Sequence, residues 1–318
     1  MQPKIKVIGV GGSGSNTVSR MAHLRGRASL RKREKIDIGT VELMSANTDA
    51  QALFFSKADK KILLGKEITH GLGTGMDTDL GKKAAEESRQ EISENLKGAD
   101  MVFITCGLGG GTGSGASPVI AEVSKELDIL TIVVVTTPFS FEGEQRKRVA
   151  QKALGNFNGK VDSLLVISND KLLKIIDEKT TVSNAFLMCD DVLREAVEGI
   201  TDLIVSPGII NIDFASVLSI MKSSGRAMFG TGRASGENRA VQAAERAINS
   251  PLLDFSIQGC RGILFNASGQ DITLNEIQEA AKVITKNVDP KAQIIFGALK
   301  DSAIKRGELK VSVIATKF

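Results

Sequence analysis

The residues best placed to do chemistry form a glycine run, Gly109-Gly110-Gly111-Thr112-Gly113-Ser114-Gly115, directly after the apolar stretch Met101–Cys106. Five of its seven residues lack a Cβ, so the backbone can approach a ligand closely and turn its N–H groups inward. A helical pattern follows from Pro118, and a helix N-terminus adds partial positive charge. The expected guest is a phosphate chain. A flexible linker seldom interrupts a strand-to-helix hydrophobic pattern in this way.

A second loop of the same kind follows the apolar stretch Ile5–Ile8: Gly9-Val10-Gly11-Gly12-Ser13-Gly14-Ser15-Asn16. Two cradles imply a nucleotide. The Gly9-x-Gly11-x-x-Gly14 spacing is a weak match to the dinucleotide fingerprint, which also requires an acid about twenty positions on. That region is basic instead, with Arg25, Arg27, Arg31, Lys32, Arg33 and Lys35 against Glu34 alone. A dinucleotide-dependent oxidoreductase is therefore the weaker reading. Neither loop carries the lysine of a P-loop enzyme.

Seven segments extend the pattern. Gly9–Met21, Ala46–Leu53, Gly109–Gly115, Pro138–Arg146, Asn169–Leu173, Asn211–Ala215 and Ala234–Ala240 occur in the order found in FtsZ. The chain resembles that family of tubulin-like cell-division GTPases from about Ile5 to Phe318. The glycine run with Thr112 is shared with tubulins at large; Asn47-Thr48-Asp49-Ala50-Gln51-Ala52-Leu53 and Ser235-Gly236-Glu237-Asn238-Arg239-Ala240 are similar to FtsZ itself.

The resemblance implies a site for GTP or GDP. Backbone donors from Gly11, Gly12, Ser13, Gly14, Ser15 and Asn16 would face those of Gly109, Gly110, Gly111, Thr112, Gly113 and Ser114. Mg²⁺ would bind through phosphate oxygens and water, and a monovalent cation such as K⁺ belongs at the subunit interface. No metal-ligating residue is assigned. Asn47 and Asp49 would approach the terminal phosphate, while Pro138, Glu142 and Arg146 would address the ribose. Glu142 and Arg146 otherwise read as an exposed i,i+4 ion pair. Asn169, Phe186 and Asp190 would hold the base: the ring stacks, and the carboxylate accepts from guanine N1–H and the exocyclic amine, a donor pair that adenine lacks. Phe186 also reads as a core aromatic, and Asp191 leaves the register open by one residue.

In FtsZ and tubulin the acid that activates water arrives from the next subunit, on a loop of the form Asn-x-Asp-x-x-acid. Here the loop reads Asn211-Ile212-Asp213-Phe214-Ala215-Ser216, with serine where the second acid belongs. Serine is neutral at pH 7, and a general base contributes roughly 10²–10⁴ in rate. The resemblance thus implies a head-to-tail polymer with slowed, assembly-coupled hydrolysis. A filament that depends on a related, co-assembling paralogue for turnover is the alternative. Asp213 also reads as the cap of a helix beginning at Phe214.

The elements that must position these residues fit the same picture. Apolar runs at Lys6–Val10, Met101–Cys106, Leu130–Thr136 and Leu164–Ser168 alternate with helical patterns at Leu80–Leu96 and Pro118–Leu127. This argues for an α/β, doubly wound parallel-sheet domain, whose ligands sit beyond the carboxyl ends of the strands. One long helix is expected over Val182–Val205, then a smaller α+β domain with helices at Ala240–Ile248 and Leu274–Lys286 and strands at Gly262–Phe265, Gln293–Ala298 and Lys310–Ala315. The expected division is residues 1–181 for the nucleotide, 182–206 for a bridging helix and 207–318 for activation and assembly.

Composition narrows the partners. A net charge of +4 with neither Trp nor Tyr offers no large basic face or stacking platform for nucleic acid. The Arg25–Lys35 run reads as a solvated loop. Cys106, Cys189 and Cys260 are widely spaced without metal-site spacing, and no apolar run reaches membrane-span length. A cytoplasmic protein is expected, at the division site by resemblance, with no direct membrane insertion. FtsZ-like chains usually continue into a linker and a short peptide that binds membrane anchors; this sequence stops at Phe318.

Overall fold

The computed structural model describes residues 3–30, 41–173, 176–177, 179–205, 208–250, 256–286 and 288–318, with the side chains of 24–30 excepted. The chain forms two compact units, Met1–Val197 and Glu198–Phe318.

The first unit holds strands β1 (Ile5–Val10), β2 (Val41–Asn47), β3 (Lys60–Leu63), β4 (Met101–Gly107), β5 (Leu130–Thr137) and β6 (Ser163–Ser168). They lie in the order β3-β2-β1-β4-β5-β6, every pair parallel. Its helices are α1 (Gly11–Leu30), α2 (Ala50–Phe55), α3 (Lys66–Thr69), α4 (Thr78–Glu87), α5 (Arg89–Leu96), α6 (Gly111–Glu126), α7 (Glu144–Gly155) and α8 (Asn169–Leu172). The central strands are buried on both faces, as covered parallel strands must be. Ile8, Val10, Ile104, Val119, Ile120, Val133 and Phe157 belong to one core cluster. Strand order reverses between β1 and β4, so the crevice at their carboxyl ends is where a ligand belongs.

α9 (Val182–Val205) begins in the first unit and ends in the second. The second unit continues with α10 (Phe214–Met221), β7 (Gly225–Ser235), α11 (Arg239–Ile248), β8 (Gly262–Gly269), α12 (Leu274–Thr285), β9 (Gln293–Lys300) and β10 (Glu308–Thr316). Its sheet runs β7-β10-β8-β9, antiparallel except for β8 with β9. Ala240, Ala243, Ala244 and Ala247 give α11 a flat buried face. A Cβ on Gly232 of β7 would stand 2.1 Å from the Ala243 carbonyl oxygen, so glycine permits this close helix–strand packing. Buried Arg239 ties the start of α11 to Asp271 at 2.8 Å and Glu276 at 2.6 Å.

Several elements differ from expectation. The helix over Leu80–Leu96 is two helices, α4 and α5, divided at Ser88, whose hydroxyl accepts the Gly65 N–H at 3.0 Å. Helix α6 starts at Gly111 and contains Pro118, so most of the glycine run is helix and not loop. The first glycine loop likewise enters α1 at Gly11. Strands β2, β3 and β7 carry no strand signature in the sequence. The Arg25–Lys35 run begins inside α1; its side chains and residues 31–35 lie outside the described residues. No helix among the described residues is long and apolar enough to cross a membrane.

Candidate nucleotide site

The two glycine segments meet at the β1/β4 switch. A Cβ on Gly11 would lie 3.1 Å from the Gly113 nitrogen, and one on Gly107 would lie 3.0 Å from Ser13 Cβ. Helices α1 and α6 therefore bring their N-termini together, and both leave first-turn N–H groups unbonded within the helix. Gly110 precedes α6 without a side-chain cap.

The glycines divide by task. Around Gly12 and Gly110 an added Cβ would meet nothing within 4 Å among the described residues, so both border open space there. Gly14 abuts the Thr105 carbonyl oxygen at 2.3 Å, Gly113 that of Gly107 at 2.6 Å and Gly115 that of Thr78 at 2.2 Å, measured from the Cβ each would carry. These three let α1 and α6 sit against backbone. Gly111 is equally close to Thr74 Oγ1. Ser114 accepts the Gly109 N–H at 2.9 Å, tying the segment into a fixed bend. Ser15 is buried, its hydroxyl without a hydrogen-bond partner among the described residues, while Asn16 is exposed.

Three threonines, none singled out by sequence pattern beyond Thr112, converge at the start of α6. Thr112 Oγ1 lies 2.7 Å from Thr48 Oγ1 and 3.4 Å from Thr74 Oγ1. Asn47 Oδ1 accepts from the Asp49 N–H at 3.3 Å, and Asp49 Oδ1 caps α2 by accepting from Ala52 at 2.9 Å. Both side chains thus hold the β2–α2 turn beside the cradle.

After β5, Pro138 and Arg146 flank Gly109: the Cβ it would carry lies 3.3 Å from Pro138 Cγ and 3.3 Å from Arg146 Cβ. Glu142 pairs with Arg146 at 2.9 Å and accepts the Phe139 N–H at 2.9 Å. Asp170, which sequence reasoning passed over in favour of its neighbour, accepts the N–H and hydroxyl of Ser140 and anchors this segment.

At the other end, Asn169 is buried and its Oδ1 has no hydrogen-bond partner among the described residues. Phe186 is 40% exposed and meets buried Phe139 edge-on at 5.5 Å, while Phe141 stacks on Phe139 at 4.9 Å. The Phe186 ring is thus not fully enclosed in the core. Burial distinguishes the two carboxylates: Asp190 is buried and accepts from Ser13 Oγ at 3.2 Å, whereas Asp191 turns outward to Arg20 at 3.1 Å and Arg194 at 3.4 Å. Burial pushes the Asp190 carboxyl up to about 6 against the opposing pull of Arg20 and Ser13, with Asp191 adding to the rise. Beside it, burial pushes the Cys189 thiol up to about 12, which keeps it protonated and inert at neutral pH.

In the second unit, Asn211 accepts the Gly208 N–H at 2.6 Å and Asp213 caps α10 by accepting the Ser216 N–H at 2.7 Å. Asn211 and Asp213 are exposed and Ser216 is half-buried.

Paired helix N-termini at the switch of a β3-β2-β1-β4-β5-β6 parallel sheet, without a Walker lysine, define a nucleotide-binding protein of the doubly wound class. Residues 4–177 match the Tubulin/FtsZ family, GTPase domain, and residues 225–318 the FtsZ family, C-terminal domain. The chain belongs to the Tubulin/FtsZ family, and is accordingly a GTP-binding cytoskeletal GTPase. It is similar to an FtsZ dimer from M. jannaschii at 42% identity, with a TM-score of 0.90, covering 99% of this chain and 88% of that one. A point mutant of the M. jannaschii FtsZ matches equally, at 42% identity, TM-score 0.90, and 99% and 91% coverage. CetZ2 from Haloferax volcanii, a GTPγS-bound protofilament, shares the fold at 22% identity and TM-score 0.80, with 98% and 92% coverage. The dinucleotide reading gives way to this membership.

Proposed function

We propose that this protein polymerises head-to-tail for cell division and hydrolyses GTP at the junction between subunits, with turnover slowed by Ser216. Residues 1–181 hold the nucleotide, 182–206 bridge, and 207–318 present the Asn211–Ser216 loop to the next subunit. Contacts of this kind join unlike surfaces and give open filaments when rotation does not close them. The self-association in the FtsZ dimer and CetZ2 protofilament supports the reading.

The observation that carries the nucleotide assignment is the open space over Gly12 and Gly110 between two converging helix N-termini. Their N–H groups bind and orient phosphate oxygens. Mg²⁺ held through the nucleotide's phosphates, with no protein ligand assigned, would supply charge neutralisation, and K⁺ is proposed at the junction. Asp190 and the unpaired Asn169 acceptor fit the N–H donors of guanine, Phe186 supplies a face for the base, and Glu142, Arg146 and Pro138 border the ribose. Asn47 and Asp49 shape the end that receives the terminal phosphate.

At the junction the loop would bring Asp213 near the neighbour's terminal phosphate, where a carboxylate can orient water. Ser216 offers a neutral hydroxyl and cannot take the proton. Sedimentation with GTP, GDP and a slowly hydrolysed analogue, alongside phosphate release, tests the reading. Pelleting with GTP and the analogue but little phosphate release is expected; a monomer at high concentration with Mg²⁺ and K⁺ would refute it. Addition of a paralogue bearing the second acid discriminates the dependent-filament alternative by restoring turnover.

A further inference from the structure

We infer that Arg20 is a positioning residue for base selectivity: together with Ser13 it aims the Asp190 carboxylate and fixes the stretch of α9 that carries Phe186. The inference rests on the nucleotide reading above and adds a residue to it.

Ser13 and Arg20 are seven apart on α1, two turns along one stripe. From that stripe both oxygens of Asp190 are addressed. Ser13 Oγ donates to Oδ1 at 3.2 Å, and Arg20 Nε lies 3.9 Å from Oδ2. The same guanidinium donates through Nη1 to the Leu187 carbonyl at 3.1 Å and contacts Asp191 Oδ1 at 3.1 Å. Leu187 adjoins Phe186, and Asp191 adjoins Asp190, so one planar fork holds the helix at the position next to each base-facing residue. Only Arg has the donor geometry to meet a carbonyl and two carboxylates at once. Asp191 has a second cation in Arg194, whereas among the described residues Arg20 is the cation that Asp190 meets.

The charged groups bearing on Asp190 are Arg20 from α1 and Asp191 from its own helix; Glu142 acts on the adjoining Cys189. Removing Arg20 therefore leaves a buried carboxylate beside a like charge. It takes up a proton more readily and turns freely, and a protonated or misaimed acid no longer accepts two N–H bonds from guanine.

The test is calorimetric binding of GDP and inosine diphosphate, which lacks the exocyclic amine, to wild type, Arg20→Gln and Arg20→Lys between pH 5.5 and 8, with melting curves as a folding check. In Arg20→Gln, GDP affinity at pH 7 should fall about tenfold, the loss expected for one charge-assisted contact. The GDP-to-inosine-diphosphate ratio should shrink towards one, and the pH midpoint of GDP binding should rise by about one unit. Arg20→Lys should restore the midpoint but not the ratio, and it carries the test if Arg20→Gln does not fold. A purely structural ion pair would lower melting temperature and leave both ratio and midpoint unchanged; that result overturns the inference. If wild type itself binds no GDP, the nucleotide reading falls and this inference with it; if wild type binds and both variants match it, the inference alone falls.

Discussion

The backbone N–H of Ser216 donates to the Asp213 carboxylate at 2.7 Å, and the Ser216 hydroxyl holds that carboxyl below its ordinary range. One residue at the third position of α10 thus serves the cap and keeps Asp213 ionised. An acid at the same position would trade that hydroxyl for a like charge, raising the Asp213 carboxyl and creating a second proton acceptor.

Ser216→Asp should raise phosphate release per assembled subunit by roughly 10², the low end of general-base contributions. Assembly, followed by light scattering, should start at a similar concentration and decay sooner. Brisk turnover in wild-type filaments, or no gain from the substitution, contradicts the role given to Ser216.

Asp213→Asn and Asp213→Ala separate capping from chemistry. Asparagine caps about as well as aspartate, so Asp213→Asn should keep hydrogen-exchange protection at the Ser216 amide and still lose turnover. Asp213→Ala should lose both. Equal turnover in the two variants and wild type would leave Asp213 with the cap alone.

The raised Asp190 carboxyl, about 6 against an ordinary 3.8, has two consequences of opposite sign. Between about pH 4 and 6 the folded protein keeps a proton that the unfolded chain has released, so nucleotide-free stability falls as pH rises through this window and is level above it. Asp190→Asn should therefore melt above wild type at pH 7, by no more than about 3 kcal/mol, with the difference vanishing near pH 4. If Asp190 holds the base as proposed, GDP affinity should weaken as pH falls through about 6 in wild type and be poor at every pH in the variant. Calorimetry and melting curves across pH 4–8 check both.

The division of labour among glycines is separable by Gly→Ala. Gly115→Ala places a methyl 2.2 Å from the Thr78 carbonyl oxygen, and backbone cannot step aside as a side chain can. A loss of about 1–3 kcal/mol or more is expected. Gly12→Ala meets nothing and should leave the melting temperature unchanged or higher, while weakening GDP binding by crowding the cradle. If Gly12→Ala binds GDP normally, the phosphate site lies elsewhere.

Much of this was legible in the sequence because the informative residues are local. Strands β1, β4, β5 and β6 are continuous apolar runs, the first three buried on both faces, and the glycine segments follow two of them. Strand β2 escaped because Glu42, Ser45 and Asn47 break its apolar pattern. Strand β7 escaped because its three glycines and two arginines deny it strand propensity; nine paired positions with β10 override that. Helix α6 begins earlier than its sequence suggests: glycine and Pro118 read as breakers, whereas Gly113 and Gly115 are helical residues pressed against neighbouring backbone. Arg20, Asp170 and the Thr48–Thr74–Thr112 cluster act through partners distant in sequence. Only the i,i+7 relation of Ser13 to Arg20 on one helix face offered a signal.

Phosphate release measured against protein concentration tests the central claim most directly. If the chain clasps GTP on one subunit and attacks it with the Asp213 loop of the next, turnover per subunit should be near zero below the concentration at which filaments pellet, then rise with assembly. Turnover per subunit that stays constant down to dilute monomer would show that no neighbour is needed, and would contradict the account.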